Sequence, residues 1–133
     1  ELGNKIKNKA LYNWAKWEFQ ISQLHPMNDN EIDKQLRKRD YYKTFAILEY
    51  HYFKNNCFVP SNYLKNKKIY KKLKNIPIDI VHGRYDIICP PKNAKLLHDL
   101  IPHSKLYFTQ AGHTMFELEN TKKLIEITNY YKN

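Results

Sequence analysis

The sequence predicts a mixed α/β chain, with a purely helical first half followed by strand–helix–strand–helix. Three observations predict it. Apolar residues recur at three- and four-residue steps through the first half. The run Ile76-Pro77-Ile78-Asp79-Ile80-Val81 then breaks that pattern with β-branched residues. A second short apolar run, Leu106 to Thr109, follows after one helix length, as a crossover between parallel strands requires.

The elements follow in order. Ile6, Ala10, Trp14, Trp17 and Ile21 predict an amphipathic helix from about Lys5 to Leu24. Pro26, Asn28, Asp29 and Asn30 end it. A second helix is expected from Glu31 to Lys54, its apolar side carrying Tyr42, Phe45, Leu48, Tyr52 and Phe53. Asn55, Asn56, Pro60 and Ser61 close it. Tyr63 to Asn75 reads as a lysine-rich helix with Leu64, Ile69 and Leu73 on one side. Ile76–Val81 is the first strand, and His82-Gly83-Arg84-Tyr85-Asp86 the turn at its end. Pro90 and Pro91 suit a helix start. Ala94, Leu97 and Ile101 mark that helix over Asn93–Ile101, and Pro102 stops it. Leu106–Thr109 is the second strand, and Gln110-Ala111-Gly112-His113 a loop. The last helix runs from Glu117 to Tyr131, with Leu118, Leu124, Ile125 and Thr128 turned inward. The expected division is a helical segment over 1–60 and an α/β segment over 61–133.

Composition narrows the function. With 133 residues, 42% of them hydrophobic, the chain is one domain's worth and can build a core. It has no run of ~18 apolar residues, so no membrane span is expected. No apolar run behind a basic start reads as a secretory signal. The only glycines, Gly3, Gly83 and Gly112, exclude a Gly-rich phosphate loop, a dinucleotide fingerprint and a G-x-S-x-G elbow within these residues. The net charge of +10 raises nucleic acid as a partner. The kind of base argues against it, because only Arg37, Arg39 and Arg84 are arginine, the residue that reads guanine and phosphate bidentately. The densest patch, Lys65, Lys67, Lys68, Lys71, Lys72 and Lys74, reads as a solvated face. Cys57 and Cys89 lack C-x-x-C spacing and read as packing thiols in a reducing, cytoplasmic compartment. The six histidines do not combine with them into a zinc pattern, so no metal or cofactor is expected.

Chemistry in an open α/β sheet lies beyond the carboxyl ends of the strands. Asp86 and His113 stand there, after the first and second strands. Their spacing is what one turn, one helix and one strand require. A carboxylate beside an imidazole fixes its tautomer and stabilises the imidazolium formed when it takes a proton. The plainer alternative is an aspartate bonding backbone and a surface histidine.

The surrounding residues, Val81-His82-Gly83-Arg84-Tyr85-Asp86 with Cys89-Pro90, then Ala111-Gly112-His113 before Glu117, resemble the C-terminal end of α/β-hydrolases. In detail the chain resembles the proline iminopeptidases. Trp14-x-x-Trp17-Glu18 is similar to that family's tryptophan-rich cap-helix motif, and Glu49-Tyr50-His51-Tyr52-Phe53 to its Glu-x-His-Tyr-Phe motif. The motifs stand in family order over nearly the whole chain. Phe19 and Thr114 depart from the family's usual glycine and serine.

The resemblance implies a serine aminopeptidase acting on peptides with an N-terminal proline. Asp86 would be the triad acid and His113 the base. Glu18 and Glu49 would hold the prolyl ammonium, with Trp14, Trp17 or Tyr52 as an apolar wall. A carboxylate on a largely apolar helix face, as at Glu49, calls for a cation or donors. Arg84 and Tyr85 would brace the turn. The resemblance also places residues 1–60 in a helical cap and 61–133 in the last two parallel strands of the hydrolase core.

No nucleophile is present: Ser22, Ser61 and Ser104 lack glycine neighbours, and neither cysteine has an elbow setting. The chain is therefore expected to be the C-terminal part of a larger hydrolase, inactive alone and needing a missing N-terminal half. An exposed edge on the first strand would favour self-association. The rival readings are another α/β-hydrolase, of esterase or epoxide hydrolase type, and a basic non-catalytic binding module.

Overall fold

A computed structural model describes residues 2–132. These divide into two units: residues 2–21 with 25–61, and residues 22–24 with 62–132. Among the described residues no helix is long and apolar enough to cross a membrane.

The first unit holds three helices, α1 (Leu2–Ile21), α2 (Asp29–Arg37) and α3 (Tyr41–Lys54). Its core is Ala15, Ile32, Leu36 and Tyr42, with Leu11, Tyr12, Phe19, Met27 and Phe45 packed against it. The buried seam of α1 is thus Leu11, Tyr12, Ala15 and Phe19, not the expected Ile6–Ala10–Trp14–Trp17 line, whose four residues are exposed. The helix carries two apolar faces, and periodicity does not say which one meets its neighbours.

The expected continuous helix over 31–54 is broken at Lys38–Asp40, where Arg39 and Asp40 take positive φ values of 53° and 55°. The seam explains the break. Ile32 and Leu36 are fully buried, but the next positions on that stripe are Arg39, Asp40 and Lys43. A straight helix would carry those charges into the core. Re-registering the chain over three residues brings Tyr42 and Ala46 inward instead. Leu48, Tyr52 and Phe53, expected on the apolar side, are exposed. Asn28 caps α2, its side chain accepting from Glu31 N at 3.0 Å. Asp29 and Glu31 then sit at the positive end of the helix and Arg37 at the negative end.

The second unit contains α4 (Lys67–Lys71), β1 (Asp79–Gly83), α5 (Pro91–Leu100), β2 (Lys105–Thr109) and α6 (Leu118–Tyr130). The lysine-rich helix is far shorter than expected. Asn62 takes a positive φ of 66°, and the Asn66 side chain accepts from Lys68 N at 3.0 Å. These asparagines offer the backbone alternatives to a continuous helix.

The first strand starts three residues later than expected. Pro77 has no N–H to give a ladder, and Ile76 N closes a turn on Leu73 O at 2.9 Å. It runs on to Gly83 because its far end still finds partners. β1 and β2 are parallel, pairing Asp79 with Lys105 through to Gly83 with Thr109. Ala94, Leu97 and Ile101 turn α5 inward, and Pro91 opens the helix.

Helix α6 is rotated from its expected face. Leu118, Ile125 and Thr128 are exposed, whereas Asn120 is buried and Leu124 and Ile127 are half-buried. The inward stripe therefore begins on a polar residue, which an apolar pattern passes over. Cys57 and Cys89, expected in the interior, are exposed, and neither is in a disulfide. Cys57 lies in a tight turn at positive φ, and Cys89 in the loop held by Asp86, so loop conformation rather than packing places both.

Candidate functional site

The strand ends carry the main polar constellation. Asp86 lies in the turn after β1, its side chain 3% exposed. One oxygen, Oδ1, accepts from Ile88 N at 3.0 Å and Cys89 N at 2.8 Å. The other, Oδ2, lies 2.9 Å from His113 Nδ1. The expected partners therefore meet. A buried carboxylate meets its desolvation demand only if its oxygens have donors, and here both do.

That contact assigns the tautomer. An ionised carboxylate only accepts, so His113 Nδ1 carries the proton and the neutral ring has Nε2 as its basic nitrogen. His113 is the open member of the pair, its side chain 40% exposed. Beside it is a small recess of about 80 Å³, lined by Val81, His82, Gly83, Asp86, His113 and Met115 among others.

Sequence reasoning missed His82. Its Nε2 lies 2.8 Å from Cys89 O and 3.5 Å from Asp86 Oδ2. A carbonyl only accepts, so Nε2 is protonated and adds a third direction of positive potential around the aspartate.

Gly83 allows the two strand ends to converge. A Cβ there would lie 1.9 Å from Gly112 O and 2.5 Å from Ala111 O. The demand is space, not backbone conformation. Arg84 N then donates to Thr109 O at 2.9 Å and Tyr85 N to Ala111 O at 3.0 Å, so the aspartate turn is tied to the histidine loop.

The loop itself is closely held. His113 N and Thr114 N both donate to Ser22 O, at 2.8 and 2.9 Å. Gly112 N donates to Glu117 Oε1 at 2.6 Å, and Leu24 N to Glu117 Oε2 at 3.0 Å. Asn120 Nδ2 donates to Thr114 O at 2.9 Å and reaches Gly112 O at 3.4 Å, while its Oδ1 accepts from the Thr109 hydroxyl. Glu117 and Asn120 were not singled out as site residues, although a glutamate three positions before an asparagine at a helix start was there to be seen.

Ser104 is buried, its hydroxyl donating to Ile101 O at 2.7 Å with His98 Nδ1 2.9 Å away, and Ser61 lies in the other unit. None of the three serines, Ser22, Ser61 and Ser104, lies in the turn directly after β1 or β2.

In the helical unit Trp14 donates its indole N–H to Glu49 Oε2 at 2.6 Å. Trp17 and Phe53 flank that indole, with ring centroids 6.3 and 6.5 Å away. Trp14, Trp17 and Glu49 thus share one face together with Phe53. Tyr52 turns elsewhere, packing edge-on against Phe58 at 5.5 Å and against His51. Glu18 is half-buried on α1.

The second unit is thus an α/β arrangement with a carboxylate-held imidazole at the ends of two parallel strands. No family model matches the chain. It is 36% identical over 125 residues to a proline iminopeptidase of Xylella fastidiosa, covering 92% of this chain and 38% of that protein. It is 32% identical over 130 residues to a probable proline iminopeptidase of Leptolyngbya boryana, covering 96% and 39%. Against a proline iminopeptidase of Arabidopsis thaliana the figures are 34% over 114 residues, 85% and 29%. By this similarity the chain belongs with the proline iminopeptidases. It spans less than two fifths of the length of these relatives, a coverage consistent with their C-terminal portion.

Proposed function

We propose that this chain is the C-terminal part of a proline iminopeptidase with the α/β-hydrolase fold, a serine-type enzyme that releases N-terminal proline from peptides. The observation that carries the reading is the 2.9 Å contact of His113 Nδ1 with Asp86 Oδ2 at parallel strand ends. In this reading residues 61–133 form the last part of the hydrolase core and residues 1–60 part of its helical cap.

The chemistry is acyl transfer. His113 Nε2 takes the proton of a serine supplied by a segment outside these residues, and the serine oxygen attacks the prolyl carbonyl. Asp86 holds the ring and stabilises the imidazolium. His113 then gives its proton to the leaving amine, and water, deprotonated by the same nitrogen, hydrolyses the acyl-enzyme. The oxyanion-binding amides also belong to the absent segment. No cofactor enters.

Glu18 and Glu49 hold the prolyl ammonium, and Trp14 and Trp17 wall the ring. Supporting this, Glu49 stands among aromatic rings with one indole donor on it, and a carboxylate has room for more donors than one. Tyr52, which packs on Phe58, is the weakest member of that set. Two exposed cysteines outside any disulfide suit a reducing, cytoplasmic setting.

The test is hydrolysis of a prolyl-amide reporter by this chain alone and by the full-length protein. The chain alone is expected to be inactive and the full-length protein active. A full-length protein that cleaves simple esters but no prolyl amide would overturn the reading in favour of an esterase.

The same reading predicts that the isolated chain self-associates. Among the described residues β1 pairs only with β2, and Leu64, Tyr70, Ile80, Leu97 and Leu100 line an open groove of about 540 Å³ beside it. Light scattering is expected to show species larger than a monomer, and a clean monomer at high concentration would count against it.

A further inference from the structure

We propose that Glu117 and Asn120 are positioning residues for His113, a polar clamp that sets the loop carrying the base before substrate arrives. The inference rests on the role proposed for His113 and adds to it the device that holds the imidazole in place.

A loop between a strand and a helix has no ladder to satisfy its backbone, so each buried N–H and C=O needs a partner from elsewhere. Among the described residues, backbone partners of residues 112–114 come from Ser22, Glu117 and Asn120, with Glu117 N also donating to Thr114 O at 3.3 Å. The amides of His113 and Thr114 go to Ser22 O, the amide of Gly112 goes to Glu117, and the carbonyls of Gly112 and Thr114 go to Asn120. Two side chains, four and seven residues after His113, thus hold the residues on both sides of it.

Their placement is unusual for a helix start. Glu117 is the N-cap residue of α6, yet its side chain makes no capping bond to the helix. Both of its oxygens reach outward, one to Gly112 N and one to Leu24 N. It therefore joins the two strands of chain that also meet at Ser22 O. A capping side chain usually serves its own helix; this one serves the loop before it, while its charge still sits at the positive end of the helix dipole.

Asn120 is 5% exposed, and its amide is engaged at both ends, with two carbonyls at Nδ2 and the Thr109 hydroxyl at Oδ1. Thr109 is the last residue of β2. Through Asn120 the histidine loop is registered on the strand that precedes it. Gly112 closes the arrangement: a Cβ there would come 2.9 Å from Leu24 N and 3.0 Å from Glu117 Oε1.

Neither side chain is placed to touch substrate. Their effect is on how often the imidazole sits where Nδ1 reaches Asp86. Small displacements of a base cost rate rather than affinity, because the misplacement is felt where the proton moves.

The test uses the full-length protein with Glu117→Ala, Glu117→Gln and Asn120→Ala, and Asp86→Asn as the reference. Two readouts are taken: prolyl-amide kinetics, and the low-field NMR resonance of the His113 Nδ1 proton. Glu117→Ala is expected to lower kcat by about 10- to 100-fold with KM within about twofold, and to broaden or lose the resonance. Asn120→Ala is expected to do the same. Glu117→Gln, which keeps the volume and one acceptor, is expected to fall between wild type and Glu117→Ala, and it carries the test if the alanine variants do not fold. A folded Glu117→Gln with unchanged kcat and an unchanged resonance would overturn the clamp. Failure of the underlying reading looks different: the reference Asp86→Asn would then leave the wild-type activity intact.

Discussion

Asp86 and Glu49 are both carboxylates that accept an N–H, and they are built in opposite ways. Asp86 is almost fully buried, with two backbone amides on one oxygen, an imidazole on the other and a second imidazole 3.5 Å away. Glu49 is half-buried with one indole N–H on it, among rings of which Trp14, Trp17 and Phe53 are all exposed. The first is over-determined and has no capacity left for a ligand. The second is held at one point and open to more donors. The difference teaches what each can do: a saturated carboxylate orients another side chain, and an unsaturated one binds something that arrives.

The contrast is broken most directly at Asp86. In the full-length protein Asp86→Asn is expected to lower kcat for a prolyl amide by about 10⁴-fold with little change in KM, since it releases the imidazole from its tautomer. Steady-state kinetics on purified variants checks it. The next largest effect is on folding. Gly83→Ala places a Cβ against the backbone carbonyls of Gly112 and Ala111, which belong to the loop and cannot swing aside as a side chain would. A destabilisation of about 3 kcal/mol is expected from chemical denaturation. An alanine variant as stable as wild type would mean that the strand ends do not approach so closely.

Glu49→Gln sharpens the comparison from the other side. It is expected to raise KM for substrates with an N-terminal proline by about 10- to 100-fold, with a smaller change in kcat. A substrate whose ring nitrogen is acylated, and so carries no charge, is expected to lose this sensitivity. If Glu49→Gln and Asp86→Asn gave the same split between kcat and KM, the two carboxylates would not differ in role.

The same contrast explains what was legible in the sequence. Asp86 and His113 were readable because the topology alone brings the ends of adjacent parallel strands together, and their spacing matched one crossover. The face of α5 was readable because Ala94, Leu97 and Ile101 recur at helical spacing, and all three are buried or half-buried. Other features depend on choices that spacing leaves open. α1 has two apolar stripes, and which one is buried is decided by Ile32 and Leu36 opposite it. The break at Arg39–Asp40 follows from charges that would otherwise enter that seam. Asn120 and Glu117 escaped notice because polar residues at a helix start read as ordinary capping, and only the path of the loop shows them facing backward.

The smallest expected effects separate the two units by pH. In the helical unit Lys16 Nζ bridges Asp29 at 2.9 Å and Asp33 at 3.2 Å, and the Tyr12 hydroxyl donates to Asp33. Hydrogen bonding, from Lys16 on Asp29 and from Tyr12 and then Lys16 on Asp33, holds both carboxyls below the ordinary aspartate range. A carboxyl that is harder to protonate when folded supports the fold above its ordinary pKa of about 3.9, and the support is lost as pH falls below that value. In the α/β unit the sign reverses. The Tyr131 hydroxyl donates to Asp79 Oδ2 at 2.6 Å, and that bond pushes the phenol up to about 12. The support is present below pH ~10 and lost as pH rises from there towards 12. Residue-resolved amide exchange is the measurement. Acid is expected to raise exchange first around α1 and α2, and alkali first around β1 and the end of α6. Asp33→Asn is expected to weaken the first response without touching the second, and Tyr131→Phe the second without touching the first. Both groups are open to solvent, so each change is expected to be small. Uniform loss of protection at either extreme would show that the two units do not respond separately.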